Sequence, residues 1–412
     1  MLSESIHPLF TYHTLQNGLQ CVIRYSTRTA EYCGLAINAG SRDDFAGMEG
    51  LAHFVEHTIF KGTSHRRAGH ILNRMESVGG ELNAYTTKEL TMIYSVFPPK
   101  NLQRAMELIA DLVAYSRFPD SELKKEREVV ADEIDTYLDM PSDAVYDDFE
   151  DLVFAGSSLG HNILGSKKSI ELFTSETCRE YVSRNYVPGN MVLFYQGPEK
   201  PDKVINMAIR YFGVLNHPVP ERNRCKPLCV DPFDVTRNID SHQAHCVIGG
   251  RIPDMYSPNR TAIALLANVI GGPGMNSLLN VALREKRGLV YGVEATAQFL
   301  TDAGLFTIYF GCDPEDASRC ARLVDSVLRH VLDTPLSGAA LERAKRQYKG
   351  QMELSHDSSE QTALGAARAV LHHGGTLSLA EMTERVESLT AEDMRMAAEL
   401  MFGSRLSRLT LH

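Results

Sequence analysis

The sequence predicts an α+β fold made of two homologous domains, each a mostly antiparallel sheet with helices packed on one face. Strand-like runs occur in groups and helical patterns follow them in groups, an order that favours sheets of sequential strands over a regular βαβ alternation. The same order of elements then appears a second time. At 412 residues the chain is also too long for one core, since hydrophobic cores stop growing near about 250–300 residues.

The first strands are predicted from patterns close to the N-terminus. We expect Tyr12–Tyr25 to form a β-hairpin around Asn17 and Gly18, because Asn-Gly is a preferred pair in two-residue hairpin turns. The run Tyr32–Asn38 is rich in apolar residues and is expected to be the next strand. These elements place a sheet at the start of the first domain.

A strand followed by a proline and a helix occurs twice in the chain. In the first half the strand is Thr91–Val96 and the helix is Asn101–Tyr115. In the second half the strand is Leu305–Phe310 and the helix is Asp316–Leu332. At a constant offset of 215 residues, the alignment pairs Pro99 with Pro314, Arg104 with Arg319, Leu108 with Leu323 and Leu112 with Val327. Further on, Leu123 pairs with Leu341 near the start of a long charged helix.

The boundary between the two copies is expected where prolines and charged residues cluster. We therefore predict an N-terminal domain over residues 1–216, a linker over residues 217–232 and a C-terminal domain over residues 233–412. The prolines of the predicted linker are Pro218, Pro220, Pro227 and Pro232.

Composition excludes several classes of protein. With 43% hydrophobic and 23% charged residues, the chain is typical of a globular protein and not of a disordered one. A net charge of −10 disfavours nucleic acid as a partner, because no basic excess is present to neutralise phosphates. No apolar run approaches the length of a membrane helix, so no membrane association is expected.

The expected compartment is the cytoplasm. The eight cysteines are scattered and are expected to be buried free thiols, which is typical of a reducing compartment. The segment Met1–Pro8 has neither a basic nor an apolar region of the kind that signal peptides have. A periplasmic location is the expectation if a signal peptide has been removed.

Residues His53–His57 read His-Phe-Val-Glu-His. On a helix, His53 and His57 lie one turn apart on the same face, so both imidazoles can bind one metal ion. Glu56 lies on the adjoining edge, close enough to handle the proton of a metal-bound water. This combination supplies ligands, an open coordination position and a base, as a zinc hydrolase requires.

The alternative interpretation is a pair of surface histidines beside a solvated glutamate. The neighbouring residues argue against it, because they make the helix apolar on most of its circumference and therefore buried. Buried imidazoles and carboxylates need partners, and a metal ion is one. The apolar neighbours are Leu51, Ala52, Phe54, Val55, Ile59 and Phe60.

The second copy of the repeat lacks these groups. The helix that matches Leu51–Ile59 is Ala262–Ile270, where Ala264, Ala267 and Asn268 stand opposite His53, Glu56 and His57, respectively. Because the two histidines and the glutamate occur in just one copy, they indicate a function placed on one domain of a duplicated fold.

A third ligand is expected on the helix Ser121–Met140. Glu126 and Glu133 fall on one stripe of this helix together with Val130 and Tyr137, which suggests carboxylates turned toward a positive group. A solvated face is the alternative, because the helix is highly charged. Spacing alone does not choose between Glu126 and Glu133.

These residues resemble the pitrilysin family of inverted-motif zinc peptidases, which includes insulin-degrading enzyme and the mitochondrial processing peptidases. The His-x-x-Glu-His motif is followed 76 residues later by Glu133, as in that family. The resemblance implies one Zn²⁺ per chain held by His53, His57 and Glu133. It also implies that Glu126 orients the site.

Further motifs extend the resemblance over essentially the whole chain. The segment Gly79–Thr86 resembles the family's substrate-binding segment and implies that Asn83, Ala84 and Tyr85 contact substrate. The segment Leu283–Tyr291 resembles its C-terminal signature, in which Arg284 and Tyr291 would bind the substrate backbone or the oxyanion. The other matching segments are Phe60–Thr63 and Gly271–Met275, the latter departing mildly from the family pattern at Pro273.

Each of these residues also has a purely structural interpretation. Asn83 is of a type that caps turns, Arg284 is of a type that ends helices, and Tyr291 is of a type that packs on sheets.

The expected function is that of a zinc metalloendopeptidase that cleaves peptides or unfolded polypeptide segments inside a closed chamber, with Glu56 as general base. The resemblance implies a homodimer in which the active site is completed across subunits. The alternative function is a non-catalytic scaffold or partner subunit of a heteromeric peptidase or processing complex.

Overall fold

The computed structural model describes residues 9–215, 224–239 and 241–412. The segment Met1–Pro8, and Pro218 and Pro220 of the predicted linker, lie outside the described residues. The chain divides into two compact units. The first unit comprises the described parts of Met1–Ile134, Asn162–Arg224 and His356–Thr376, and the second comprises those of Asp135–His161, Cys225–Ser355 and Leu377–His412.

The first unit contains a mixed sheet with the strand order β1-β2-β6-β3-β5-β4. All neighbouring strands are antiparallel except β2 and β6, which are parallel. The predicted hairpin is confirmed, because β1 and β2 pair with Thr14 opposite Gln20. The strands are β1 (Phe10–Thr14), β2 (Gln20–Tyr25), β3 (Glu31–Ile37), β4 (Glu81–Thr86), β5 (Thr91–Phe97) and β6 (Met191–Gly197).

The second unit contains a sheet with the order β7-β11-β8-β10-β9, in which only β7 and β11 are parallel. This order repeats β2-β6-β3-β5-β4 of the first sheet, so the predicted duplication of the fold is confirmed. The strands are β7 (Asp234–Arg237), β8 (Ala244–Ile252), β9 (Val290–Phe299), β10 (Gly304–Cys312) and β11 (Ser407–Leu411).

The helices of the N-terminal half agree closely with the predicted ranges, since α3 and α4 match the predictions at 101–115 and 121–140 within two residues at each end. These helices are α1 (Leu51–Thr58), α2 (Ala68–Glu76), α3 (Leu102–Tyr115), α4 (Asp120–Leu138), α5 (Pro141–Val153), α6 (Lys167–Ile170), α7 (Ser175–Asn185) and α8 (Pro201–Phe212).

The C-terminal half repeats the helix pattern and adds a π-helical turn at Asn280–Glu285. Its α-helices are α9 (Arg260–Gly271), α10 (Ala317–Asp333), α11 (Gly338–His356), α12 (Ser359–His373), α13 (Leu379–Glu387) and α14 (Ala391–Phe402). No helix in the described ranges is long and apolar enough to cross a membrane.

Each sheet has a main core on one face. In the first unit, Leu35 and Leu193 of the sheet are buried together with Phe54 of α1, Leu108 of α3 and Phe212 of α8. In the second unit, the corresponding core contains side chains of β8 and β10 together with α9, α10 and α14. These helices cover one face of each sheet, as the α+β prediction required.

Each sheet also carries one helix on its other face. Ala363 and Ala367 of α12 pack against Val192 and Phe194 of β6 in the first unit. In the second unit, Phe149 and its neighbours on α5 pack against β8, β10 and β11. The prediction of helices on one face therefore described most of each layer but missed α12 and α5.

The helices α5 and α12 are exchanged between the two halves of the sequence. α5 precedes the predicted linker but belongs to the second unit, whereas α12 follows the linker but belongs to the first. Their starts, Pro141 and Ser359, are separated by the same 218 residues as Leu123 and Leu341, so the exchange is symmetric. The predicted domains 1–216 and 233–412 follow chain order and do not include this exchange.

Candidate metal centre

The helix α1 carries the His-x-x-Glu-His motif and is fixed at its start by a side chain from outside the helix. Its first residue follows Gly50, whose φ of 97° is of the left-handed kind that favours glycine. The Asp44 carboxylate accepts hydrogen bonds from the backbone N–H groups of Gly50 and Ala52, both at 2.7 Å. A carboxylate at this end of a helix satisfies free N–H groups and complements the helix dipole.

The apolar residues of α1 orient the motif. Leu51, Phe54 and Val55 are completely buried in the core of the first unit. The side chains of His53, Glu56 and His57 occupy the remaining part of the helix circumference, and His53 is itself only 8% exposed. The prediction that this helix is buried is confirmed.

Glu133 of α4 lies opposite both histidines. Its Oε1 is 3.8 Å from His53 Nε2, and its Oε2 is 3.5 Å from His57 Nε2. Among the described residues, these three are the one group whose ligand atoms all lie within 4.8 Å of one another and could hold a metal ion.

The distances fit a shared metal better than hydrogen bonds. Two donors bound to Zn²⁺ at about 2.0–2.1 Å in tetrahedral geometry lie about 3.3–3.4 Å apart. An N–H···O hydrogen bond would instead bring the two atoms to about 2.7–3.2 Å. The donor set of two imidazoles and one carboxylate is also one that catalytic zinc sites use.

Glu126 lies on the other side of His57. Its Oε1 is 3.0 Å from His57 Nδ1, and its Oε2 is 2.7 Å from Lys61 Nζ. A hydrogen bond at Nδ1 leaves Nε2 of the same ring turned toward Glu133, which is the arrangement that orients metal-binding histidines. The geometry thus separates the two glutamates that spacing alone left as alternatives.

Burial controls the protonation of the site. Burial and the neighbouring His57 lower the pKa of His53 to about 3, so His53 is neutral, the form in which imidazole binds metal. For His57, burial favours a lower pKa, but the hydrogen bond that its Nδ1 donates to Glu126 and the charges of Glu133 and Glu56 raise its pKa overall. Burial also raises the pKa of Glu56, which suits a carboxyl group that exchanges protons.

The segment Asn83–Tyr85 lies on β4, next to α1. β4 is the last strand of its sheet and pairs only with β5 among the described residues, so its other edge has no strand partner there. Ala84 packs toward the core that contains α1, whereas Tyr85 packs on the opposite face, where its ring centroid is 6.5 Å from that of Tyr94. An open edge of this kind can accept an extended peptide.

Arg284 and Tyr291 belong to the second unit. Arg284 lies in the π-helical turn, and Tyr291 lies on β9, which occupies the position that β4 has in the first sheet. Tyr291 is 61% exposed and donates a hydrogen bond of 2.9 Å to Asp313 Oδ1. The hydrogen bond to this carboxylate raises the pKa of Tyr291.

Sequence reasoning missed two residues that support the site. Asp44 lies six residues before Gly50, which is too far along the chain for any capping motif to indicate its contact with α1. Lys61 lies inside the segment Phe60–Thr63 that was recognised as a motif, but its contact with Glu126 depends on the packing of α4.

Two family profiles match consecutive parts of the chain. The profile described as insulinase (peptidase family M16) matches residues 21–167, which include the metal cluster. The profile described as the peptidase M16 inactive domain matches residues 173–348.

Several bacterial proteins are similar to this chain over almost its whole length. A protein of Mycobacterium tuberculosis described as an uncharacterized zinc protease is 30% identical over 397 residues, covering 95% of this chain and 90% of that protein. A protein of Streptomyces coelicolor with the same description is 30% identical, covering 96% and 87%. One of Bacillus subtilis is 29% identical, covering 95% of both chains.

Solved structures show the same fold. A structure from Pseudomonas fluorescens, described as a peptidase M16 inactive domain, superposes with a TM-score of 0.90 at 19% identity, covering 98% of this chain and 97% of that chain. A structure described as a protease from Helicobacter pylori superposes with a TM-score of 0.89 at 22% identity, covering 98% and 100%.

Proposed function

The chain belongs to peptidase family M16, the pitrilysin family, and on this premise we propose that it is a zinc-dependent metalloendopeptidase. The observation that carries the proposal is the convergence of His53, His57 and Glu133, with Glu56 on the same helix. The relatives described as zinc proteases support the same metal and the same class of reaction.

His53, His57 and Glu133 would hold one Zn²⁺ per chain. When bound there, zinc supplies a Lewis acid that lowers the pKa of water and polarises a carbonyl group. Glu56 takes a proton from the attacking water and later donates it to the leaving amine, a transfer that its raised pKa favours. Glu126 holds the ring of His57 in place through Nδ1.

The substrate would bind as an added strand on the open edge of β4. Backbone groups of Asn83, Ala84 and Tyr85 would pair with an extended peptide next to α1. Because main-chain hydrogen bonds carry no side-chain information, this mode implies loose sequence preference. It restricts substrates to peptides and unfolded segments, and a closed chamber around the site would restrict them further.

Arg284 and Tyr291 would bind the substrate backbone or the oxyanion, and we propose that they do so in a homodimer whose active sites are completed across subunits. Mixing Glu56→Gln chains with Tyr291→Phe chains tests this arrangement. Activity recovered on mixing, above that of either variant alone, is the expected result. Failure of mixed dimers to recover activity would contradict sharing.

The function itself is tested by digesting a mixed peptide library with the purified protein and identifying the products by mass spectrometry. We expect internal cleavage that a chelator abolishes. In the Glu56→Gln variant, cleavage should fall by about 10²–10⁴-fold, the usual contribution of a general base, while bound zinc stays at the wild-type level. Zinc-loaded, folded wild-type protein that cleaves nothing would instead indicate a non-catalytic partner subunit.

A further inference from the structure

Arg224 lies within the predicted linker, residues 217–232, yet its side chain is packed inside the first unit. Only 11% of that side chain is exposed. Its guanidinium donates two parallel hydrogen bonds to the Asp43 carboxylate, from Nε to Oδ1 at 3.0 Å and from Nη2 to Oδ2 at 2.6 Å. Two parallel N–H···O bonds to one carboxylate make an ion pair both strong and geometrically specific.

The same guanidinium contacts two further residues, Asn38 and Glu89. Its Nη1 donates to Asn38 Oδ1 at 3.3 Å, directly after β3, and lies 3.6 Å from Glu89 Oε1, in the turn between β4 and β5. Glu89 Oε1 also accepts a hydrogen bond of 2.5 Å from the fully buried Arg42 side chain. Counting its own segment, Arg224 therefore joins three parts of the chain, of which the other two are residues 38–43 and the turn that contains Glu89.

Two of these segments lead directly to the candidate metal centre. Asp43 is followed by Asp44, whose carboxylate caps the start of α1 and so fixes the helix that carries His53 and His57. Glu89 lies in the turn that holds the end of β4, the proposed peptide-binding edge. A displaced Asp43–Asp44 segment would move the proposed metal ligands on α1, and a displaced turn at Glu89 would move the edge of β4. Shifts of fractions of an ångström are enough to weaken a metal site.

Charge explains why a cation is needed at this point. Asp43 and Glu89 bring two carboxylates into a partly buried region, where like charges repel more strongly than in water. Arg42 faces Glu89, and Arg224 faces both Asp43 and Glu89. Removing Arg224 would leave the Asp43 carboxylate buried without its main counter-charge, which is costly.

We propose that Arg224 is a positioning residue that locks the cap of the metal helix and the turn of the peptide-binding edge into one rigid arrangement. The inference rests on the proposed function for its meaning, because α1 and β4 are the parts of the site that it holds. Lysine at this position would keep the charge but could not form the fork, so it should substitute only in part.

The test compares Arg224→Met and Arg224→Lys with Lys226→Met, which removes an exposed positive charge two residues away. Hydrogen exchange is followed by mass spectrometry well below the melting temperature of each variant. In Arg224→Met, we expect faster exchange in peptides covering residues 40–58 and 81–91, with wild-type exchange in α8. Zinc affinity, measured by competition with a chromophoric chelator, should fall by about tenfold, the lower end of what loss of supporting contacts costs.

Arg224→Lys should lie between Arg224→Met and the wild type in both measurements, and Lys226→Met should match the wild type. Adding Asp43→Asn to Arg224→Met should change zinc affinity by less than the sum of the single effects, since both act through one contact. Unchanged exchange in 40–58 and 81–91, or uniformly faster exchange throughout the first unit, would overturn the proposal. Wild-type protein that binds zinc without cleaving peptides would overturn only the proposed function, because exchange and zinc affinity would still report on Arg224.

Discussion

The same pair of helices occurs in both units, but with different chemistry at the equivalent positions. In the first unit, His57 of α1 faces Glu133 of α4, with 3.5 Å between Nε2 and Oε2. In the second unit, the equivalent residues are Asn268 of α9 and Gln351 of α11, and Asn268 Nδ2 donates a hydrogen bond of 2.8 Å to Gln351 Oε1. Alanines stand at the positions equivalent to His53, Glu56 and Glu126.

The difference shows what the fold requires and what the function requires. In the second unit the two amides bond each other directly, so their contact needs no ion between them. In the first unit, His57 and Glu133 are too far apart for a hydrogen bond, and His53 Nε2 is still farther from Glu133. The amide pair of the second unit shows that the fold does not require ionisable groups at this place, which supports the proposed metal-binding role of His57 and Glu133.

Replacing the metal pair with the amide pair should have the largest effect. We expect His57→Asn combined with Glu133→Gln to abolish zinc binding, because two of three ligands are lost. Without metal, the double variant should unfold at about the same temperature as the metal-free wild type, because a hydrogen bond like that between Asn268 and Gln351 would offset the lost hydrogen bond between His57 and Glu126. Zinc content by mass spectrometry and thermal unfolding with and without zinc check both parts.

Zinc should raise the melting temperature of the wild type, because a ligand that binds only the folded state stabilises it. The double variant should show no such shift. A zinc-dependent shift that survives in the double variant would mean that the metal binds elsewhere. A large loss of stability in the metal-free double variant would mean that the histidine and glutamate serve the fold.

A smaller effect is expected at Lys61, which is not a proposed metal ligand but forms an ion pair with Glu126. Lys61→Met should lower zinc affinity by about 10-fold, because Glu126 would lose the cation that fixes its second oxygen. Lys61→Arg should retain most of the affinity. Chelator competition measures this change, and equal affinity in Lys61→Met and the wild type would show that Glu126 needs no second partner.

The smallest effect is expected from the amide pair itself. Gln351→Ala should leave Asn268 without its hydrogen bond and cost about 0.5–1.5 kcal/mol of unfolding free energy. Zinc affinity should not change, because the proposed metal ligands lie in the first unit. Denaturant unfolding and chelator competition on one preparation measure both quantities. Altered zinc affinity in Gln351→Ala would contradict the assignment of the amide pair to a structural role.

Much of the fold and the site could be predicted because their signals are local. The Asn17–Gly18 turn, the periodicity of α3 and α4 and the repeated strand–proline–helix unit depend on neighbouring residues, so the sequence alone reveals them. The His-x-x-Glu-His motif is equally local, because one helical turn brings both imidazoles to the same face. The prediction that Glu133 is the third ligand rests on resemblance, since spacing treats Glu126 and Glu133 alike.

The sequence by itself determined the α+β class, the duplication and the residues able to bind a metal. Only the tertiary structure decided that Glu133 faces both imidazoles while Glu126 contacts Nδ1 of His57. It also decided that α5 and α12 are exchanged, and that Arg224 contacts Asp43, 181 residues away in the sequence. The physical reason is that periodicity encodes which face of an element is buried but not which element covers it. That choice is made by packing and by charge pairing over long sequence distances.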